Sequence, residues 1–234
     1  GYLGYLAVAE YAAEQPGRLM ETVATARRET VLMGMRAEGE VVVEMEYGAE
    51  PEPVTYKIAD RSGENEEPEI VTITDGRLMK RPVPLRTRAR PYAYILPTEA
   101  RAAVDMLRRH GITVEVLREE LTIPVQAYTL AGIEYEEAYD HEAATRVTVG
   151  EVVEVEREFE AGSFVVTTAQ MLGRLVAHML EPESSDNVVY WNTMDAWLPK
   201  SELGAEPDPE DGPPLIPIYK LMEARPLPTR MLGG

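Results

Sequence analysis

The chain contains no cysteine, which excludes disulfide frameworks and thiolate metal sites and leaves the redox state of its compartment open. Histidine is almost as scarce. Only His110, His141 and His178 are present, and no HExxH or clustered pattern places two imidazoles on one metal. Basic residues are few, 23 against 41 acidic, and a formal charge of −18 repels a phosphate backbone, which argues against nucleic acid as a partner. No apolar run reaches the roughly 18 to 20 residues that span a bilayer, so no transmembrane segment is expected. A serine nucleophile elbow, a phosphate-cradling glycine loop and a dinucleotide fingerprint are lacking too.

What is present is ordinary for a globular protein: 44% apolar and 27% charged residues, enough over 234 positions for one mixed domain or two small modules, and two are expected. The acidic surplus has two readings. It is the surface that a protein of a high-salt habitat carries to stay hydrated, and a merely acidic secreted protein looks the same.

The first methionine is Met20, and the residues before it lack the charged start and cleavage pattern of a signal peptide. They read as helix from the outset, with Tyr2, Leu6, Ala9 and Ala13 at helical spacing. Pro16 suits the first turn of a second helix in which Leu19, Val23 and Ala26 share a face. The chain is therefore expected to begin inside a larger protein. After Gly39 the period changes to two. Val41, Val43, Met45 and Tyr47 alternate with polar neighbours, and "TYKIAD" and "EIVTITDG" continue as short strands around the acidic loop "DRSGENEEPE". This small antiparallel module covers residues 37–90 and closes on a basic stretch, "RLMKRPVPLRTRARP". The stretch reads either as a solvated, proline-interrupted edge whose charges face acidic neighbours or as a docking strip, with Arg86 and Arg88, for a carboxylate ligand or acidic partner.

Residues 91–221 read as an α+β module, followed by a tail over 222–234. "PYAYILPTEARAAVDMLRRHGITVEVL" gives strand, helix, strand, with Thr98 as candidate N-cap, Ala103, Val104 and Leu107 as the apolar stripe, and Gly111 as the C′ glycine. His110 beside that glycine suits a capping role. "GSFVVTTAQMLGRLVAHMLEP" repeats the device, with a capping box from Thr167 to Gln170, Leu172, Leu175, Val176 and Met179 on one face, and Pro182 as the stop. His178 borders that face, and a core-edge position is its default reading. Between the two units, Val147, Val149, Val153, Val155 and Phe159 alternate with a row that includes Glu154, Glu156 and Glu158, the pattern of a half-buried antiparallel strand. "LIPIYKL" at 215–221 is expected as the final strand, reached across the acidic loop "SELGAEPDPEDGPP". The fold class expected is thus α+β: an N-terminal helical segment, a small antiparallel module, then a mainly antiparallel sheet with two packed helices.

Candidate chemistry is thin. His141 lies among Glu136, Glu137, Asp140 and Glu142, which reads as a polar loop or, more sharply, as a general acid/base cluster or cation site that would make the chain a hydrolase. The loop after the last helix gathers Tyr190, Trp191, Asn192, Asp195 and Trp197. Either the aromatics pack it onto the helix while Asn192 and Asp195 hold turns, or the tryptophans stack on sugar rings or grip an extended peptide in an independent carbohydrate- or protein-binding module. Trp191, Asn192, Asp195, Arg86 and Arg88 are the candidate interdomain or ligand contacts. Neither a catalytic residue nor a metal ligand is assigned to the chain.

One long stretch, "EAGSFVVTTAQMLGRLVAHMLEPESSDNVVYWNTMDAWL", with "IPIYKL" near the end, resembles the C-terminal region of bacterial zinc carboxypeptidase-like proteins of the M14 peptidase family. The matching positions are Ala161, Gly162, Ser163, Leu180, Glu181, Pro182, Glu183, Ser184, Asp186, Trp191, Asn192 and Asp195. The segment "AYILPTEARAAVDMLRRHGITVEVL" is similar to the part of such proteins that precedes it. The resemblance implies that residues 1–36 are helices at the end of an upstream peptidase domain. It also implies a secreted or periplasmic parent that hydrolyses peptide substrates with a zinc-activated water and a glutamate. The zinc-binding pair, the later zinc histidine, the substrate arginines and the catalytic glutamate would all lie upstream, so no cofactor is expected in this chain. The expectation is a non-catalytic accessory region that shapes or shields a peptidase cleft.

Overall fold

A computed structural model describes residues 1–61, 68–138, 142–198 and 214–233. Most of the loop "DRSGENEEPE", nearly all of "SELGAEPDPEDGPP", and Asp140 and His141 fall outside the described residues. The chain divides into two compact units, one made of Gly1–Val41 with Arg88–Gly234 and the other of Val42–Thr87.

Two helices open the chain, α1 (Tyr2–Glu14) and α2 (Pro16–Met35). Pro16 occupies the first turn of α2, where its missing N–H costs nothing. The expected face Leu19, Val23, Ala26 is not the one buried. Thr30 and Gly34 are, because the partner of α2 is the turn leading to the last helix. A Cβ at Gly34 or at Gly173 would collide with the Thr168 carbonyl, so glycine at both positions permits this approach. Glu38 donates its N–H to the Met33 carbonyl at 2.9 Å, with Ala37 left-handed at φ 51, and this closes the helix in Schellman fashion.

The second unit consists of two ribbons, described by themselves. β1 (Glu40–Ala49) pairs with β4 (Met79–Ala89), and β2 (Val54–Asp60) pairs antiparallel with β3 (Glu69–Gly76) through a bulge between Val54 and Tyr56. The basic stretch is strand β4, and Arg86 and Lys80 meet Glu44 and Glu50 at 3.4 and 4.0 Å. The solvated-edge reading describes these two cations, whose pairs are exposed and weak.

The larger unit carries a seven-stranded sheet in the order β11-β6-β9-β5-β10-β7-β8, built from β5 (Ala93–Leu96), β6 (Glu115–Leu117), β7 (Leu121–Tyr135), β8 (Thr145–Phe159), β9 (Phe164–Thr167), β10 (Tyr219–Leu221) and β11 (Thr229–Met231). All its neighbouring pairs run antiparallel, which confirms the α+β class. α3 (Arg101–Arg109) links β5 to β6, and β9 inserts between those two strands. α4 (Gly173–Leu180) follows β9. Beyond the strand expected last, the chain adds β11, which pairs with β6 at the sheet edge.

Alternation decides what is buried. Ala93, Ile95, Ile123, Val125, Ala127, Phe159, Val165, Tyr219 and Leu221 form one core cluster, against which Val153 and Val155 of β8 pack while Glu154, Glu156 and Glu158 stay exposed. Phe159 meets Tyr219 edge to face at 5.3 Å. Tyr94 and Leu96 are buried as well, so β5 is covered on both faces. The helices bring Ala103, Val104 and Leu107 from α3 and Val176, Ala177 and Leu180 from α4, all fully buried.

Both expected N-caps are corrected. Ala100 occupies the N-cap of α3, and the Thr98 hydroxyl bonds Glu99 instead. The Thr167–Gln170 box does not form, because the Gln170 amide donates to the Thr113 and Thr167 carbonyls at 3.1 and 2.8 Å. α4 therefore begins at Gly173, and Leu172 is its N-cap, 37% exposed rather than a core position. At the other end of α3 the expectation holds. Gly111 adopts φ 80, and the His110 ring bonds the Met106 carbonyl at 2.9 Å.

Candidate functional site

The groups of greatest chemical interest converge where α4 ends. Pro182 cannot continue a helix, so the chain turns extended at Glu181, whose carboxylate is left pointing at the sheet. The Tyr94 hydroxyl donates to Glu181 Oε1 at 2.6 Å, and the Tyr128 hydroxyl donates to Oε2 at 2.6 Å. Lys220 Nζ stands 2.8 Å from Oε1 and donates to the Tyr128 hydroxyl at 3.0 Å. These partners come from β5, β7 and β10, three adjacent strands, and Lys220 is in register with Tyr94. Glu181 is 0% exposed and Lys220 2% exposed.

Such a node is affordable in a core only when donors and acceptors match. Here one carboxylate takes two hydroxyls and an ammonium, all at good distance. Burial, and after it the Glu181 charge, raises the pKa of both Tyr94 and Tyr128 well above the ordinary phenol value, which keeps each hydroxyl a donor. A general acid or base has to reach a substrate proton, and these atoms are sealed from solvent. The arrangement clamps α4 to the sheet.

A second pair lies next to it. Arg88 grips Glu183 with Nε and Nη2 at 2.5 and 2.6 Å, a bidentate fork, and its guanidinium lies 5.9 Å from the centre of the Tyr128 ring. The hydrogen bond to Glu183 raises the Arg88 pKa against the opposing effect of burial. Arg88 is thus a member of the basic stretch that the fold pairs internally.

The loop beyond Glu183 organises itself through amides. Asn187 Nδ2 donates to the Pro182 and Ser184 carbonyls at 3.1 and 2.6 Å, while its Oδ1 accepts the N–H groups of Val189 and Tyr190 at 2.8 and 2.9 Å. Asn192, left-handed at φ 62, donates to the Ala143 carbonyl at 2.9 Å, to Thr145 Oγ1 at 3.0 Å and to Asp195 Oδ2 at 3.2 Å. The Thr145 hydroxyl in turn donates to Asp195 Oδ1 at 2.8 Å. Asn192 and Asp195 tie the loop to the first residue of β8.

The aromatics do less of the packing than their composition implies. Trp191 and Trp197 are 39% and 44% exposed, whereas Val188, Val189 and Met194 are fully buried. The loop packs through aliphatic side chains. Tyr190 stacks edge to face on Trp191 at 5.2 Å and donates its hydroxyl to Glu136 at 2.9 Å, which raises the Tyr190 pKa. The guanidinium of Arg146 lies 5.1 Å from the centre of the Tyr190 ring and pairs with Glu136.

Of the candidate contacts named from the sequence, Trp191, Asn192 and Asp195 share this loop, Arg88 joins the neighbouring clamp, and Arg86 lies in the other unit. Tyr94, Tyr128 and Lys220 escaped notice. The signal for Lys220 was a lone cation inside the apolar run "IPIYKL", and for Glu181 a carboxylate wedged between a helix end and Pro182. Among the described residues, no group of three or more His, Asp or Glu side chains is placed to hold a metal ion.

Comparison with known proteins gives a partial likeness. No family model matches the chain, and no solved structure does. Carboxypeptidase 2 of Trichophyton tonsurans is 30% identical over 101 residues, 43% of this chain and 19% of that protein. Carboxypeptidase 2 of Trichophyton rubrum is 26% identical over 127 residues, 50% of this chain and 24% of that protein. The chain is therefore similar at low identity to fungal carboxypeptidases over about half its length, and it spans about a fifth to a quarter of the length of these curated relatives.

Proposed function

We propose that the chain is a non-catalytic C-terminal accessory region of a zinc metallocarboxypeptidase-like protein of the M14 type, where it helps shape or shield the peptidase cleft. The observation that carries this reading is the likeness to fungal carboxypeptidase 2. The histidine census supports the non-catalytic part: the three scattered imidazoles form no HExxH or clustered pattern, and in the one HxxE spacing, His178 to Glu181, the carboxylate is buried and taken by Tyr94, Tyr128 and Lys220. α1 supports the interdomain part. None of its residues is buried, yet Tyr2, Leu3, Tyr5, Leu6, Val8 and Tyr11 are large and apolar and lie around the helix rather than on one stripe. A helix apolar all round is built to be enclosed, and a 13-residue helix is marginal without packing. On this reading, residues 1–36 belong with a peptidase domain of the same protein, and the parent is secreted or periplasmic. No helix among the described residues is long and apolar enough to cross a membrane.

Zinc chemistry in the parent supplies an activated water against a peptide carbonyl, and the residues for it belong to that domain. This chain contributes the clamped loop 181–198 and the aromatic helix. The test has two parts. The reading frame around the chain should encode an HxxE pair, a later histidine and a glutamate shortly before Gly1, and its full product should release C-terminal residues from peptides. The chain of residues 1–234 alone should release none. A frame without those motifs, or hydrolysis by the isolated chain, overturns the proposal.

A further inference from the structure

Arg90 stands apart from every other arginine of the larger unit. Its backbone is fixed on both sides, the N–H donating to the Gly39 carbonyl at 3.0 Å and the next residue, Pro91, accepting the Thr168 hydroxyl at 2.8 Å. Its side chain is carried inward, leaving the residue 3% exposed. There Nε and Nη1 are buried and meet no protein acceptor among the described residues. A guanidinium does not shed its proton to escape such a site. Two residues earlier Arg88 has Glu183 in a bidentate fork, so the fold supplies a carboxylate where it needs one.

The surroundings deepen the imbalance. The charged neighbour felt most strongly by Arg90 is Arg174, in the first turn of α4, and the other is the phenol Tyr94. Burial and Arg174 both press the Arg90 pKa down. Tyr94 offers no counter-charge, because its hydroxyl stays protonated and is committed to Glu181, and Glu181 is already engaged by two phenols and Lys220. Among the described residues, no carboxylate therefore acts on the Arg90 guanidinium. A water molecule would satisfy the orphaned N–H groups but leave two like charges facing each other. An anion satisfies both demands.

We infer that Arg90 and Arg174 form a binding site for a small inorganic anion of chloride size. Arg174 is exposed, so an ion approaches along its side chain, and the 3% exposure of Arg90 restricts the occupant to something compact. Arg90 supplies the buried donors, and Arg174 supplies charge at the entrance.

Melting of the full chain at fixed ionic strength tests this, with sodium gluconate replaced stepwise by sodium chloride. The bulky gluconate ion cannot follow chloride to Arg90. The melting temperature should rise with chloride and saturate. Arg174→Gln, at a surface position that leaves the core intact, should need about tenfold more chloride for half the effect, the weight of one nearby charge. Arg90→Met should abolish the response. Should that variant fail to fold, Arg174→Gln decides alone. Identical melting in chloride and gluconate, or a chloride response unchanged by Arg174→Gln, overturns the inference and leaves Arg90 to an internal water.

Discussion

At the scale of single residues, the Glu181 clamp makes the sharpest demands. Replacing Glu181 by Gln strands the Lys220 ammonium in a site 2% exposed, and breaking a buried pair from one side costs about 3 to 5 kcal/mol. The measurement is the urea midpoint of Glu181→Gln. A double change with Lys220→Met should recover part of the loss, because an apolar pair leaves no orphaned charge. The two phenols give a pH signature. Free tyrosine ionises near pH 10, and burial beside Glu181 holds Tyr94 and Tyr128 above that value in the folded chain. A group whose pKa rises on folding stabilises fully below its unfolded pKa and loses that contribution as pH climbs toward the folded one. Urea midpoints should therefore hold level up to about pH 10 as far as these groups decide, then fall. Tyr94→Phe should flatten the fall, at a cost of about 1.5 to 3 kcal/mol for a hydrogen bond to a charged acceptor. A slope unchanged by the substitution would mean that Tyr94 does not carry it.

At the scale of elements, α4 shows what the sequence discloses and what it hides. Its apolar spacing correctly marked Val176 and Met179 as core, but placed Leu172 among them. Val176→Ala should cost about 2 to 3 kcal/mol, whereas Leu172→Ala should cost under about 1 kcal/mol, and calorimetric melting of the two variants would check the contrast. The misreading has a physical cause. Thr167 and Gln170 have the spacing of a capping box, yet both spend their polar atoms on the turn itself and on Thr113, a partner 57 positions away in sequence. The strands were legible because a half-buried strand writes its own alternation, as Val153 and Val155 against Glu154 and Glu156 do. The clamp was not legible. Lys220 faces Tyr94 only because β10 lies between β5 and β7, and that order comes from packing across the whole sheet rather than from any local spacing. The aromatic loop misled for the opposite reason. Its composition drew the eye to Trp191 and Trp197, while the aliphatic Val188, Val189 and Met194 carry its burial.

At the scale of the whole molecule, a formal charge of −18 is the largest single electrostatic fact, and it leaves two histories open to test. Self-repulsion among surface carboxylates is screened over a Debye length of about 10 Å at 0.1 M salt and about 3 Å at 1 M, so simple screening is nearly complete within the first few tenths molar. A merely acidic protein should therefore gain melting temperature early and then level off. A surface shaped for a high-salt habitat continues to gain, since its stability draws on hydrated cations held among the carboxylates. The β8 edge offers the local version of the same contest. Glu154, Glu156 and Glu158 stand exposed along one face of a strand at the sheet boundary, where like charges at period-two spacing repel one another until cations gather. Melting in potassium chloride from 0.1 to about 3 M is the measurement, and the expected outcome for the high-salt history is a rise that continues beyond 1 M. Glu154→Gln with Glu156→Gln should shift the low-salt end upward and leave the high-salt end nearly unchanged, because only repulsion has been removed. A plateau by a few tenths molar, with no further gain, would assign the charge to solubility alone and remove habitat from its explanation.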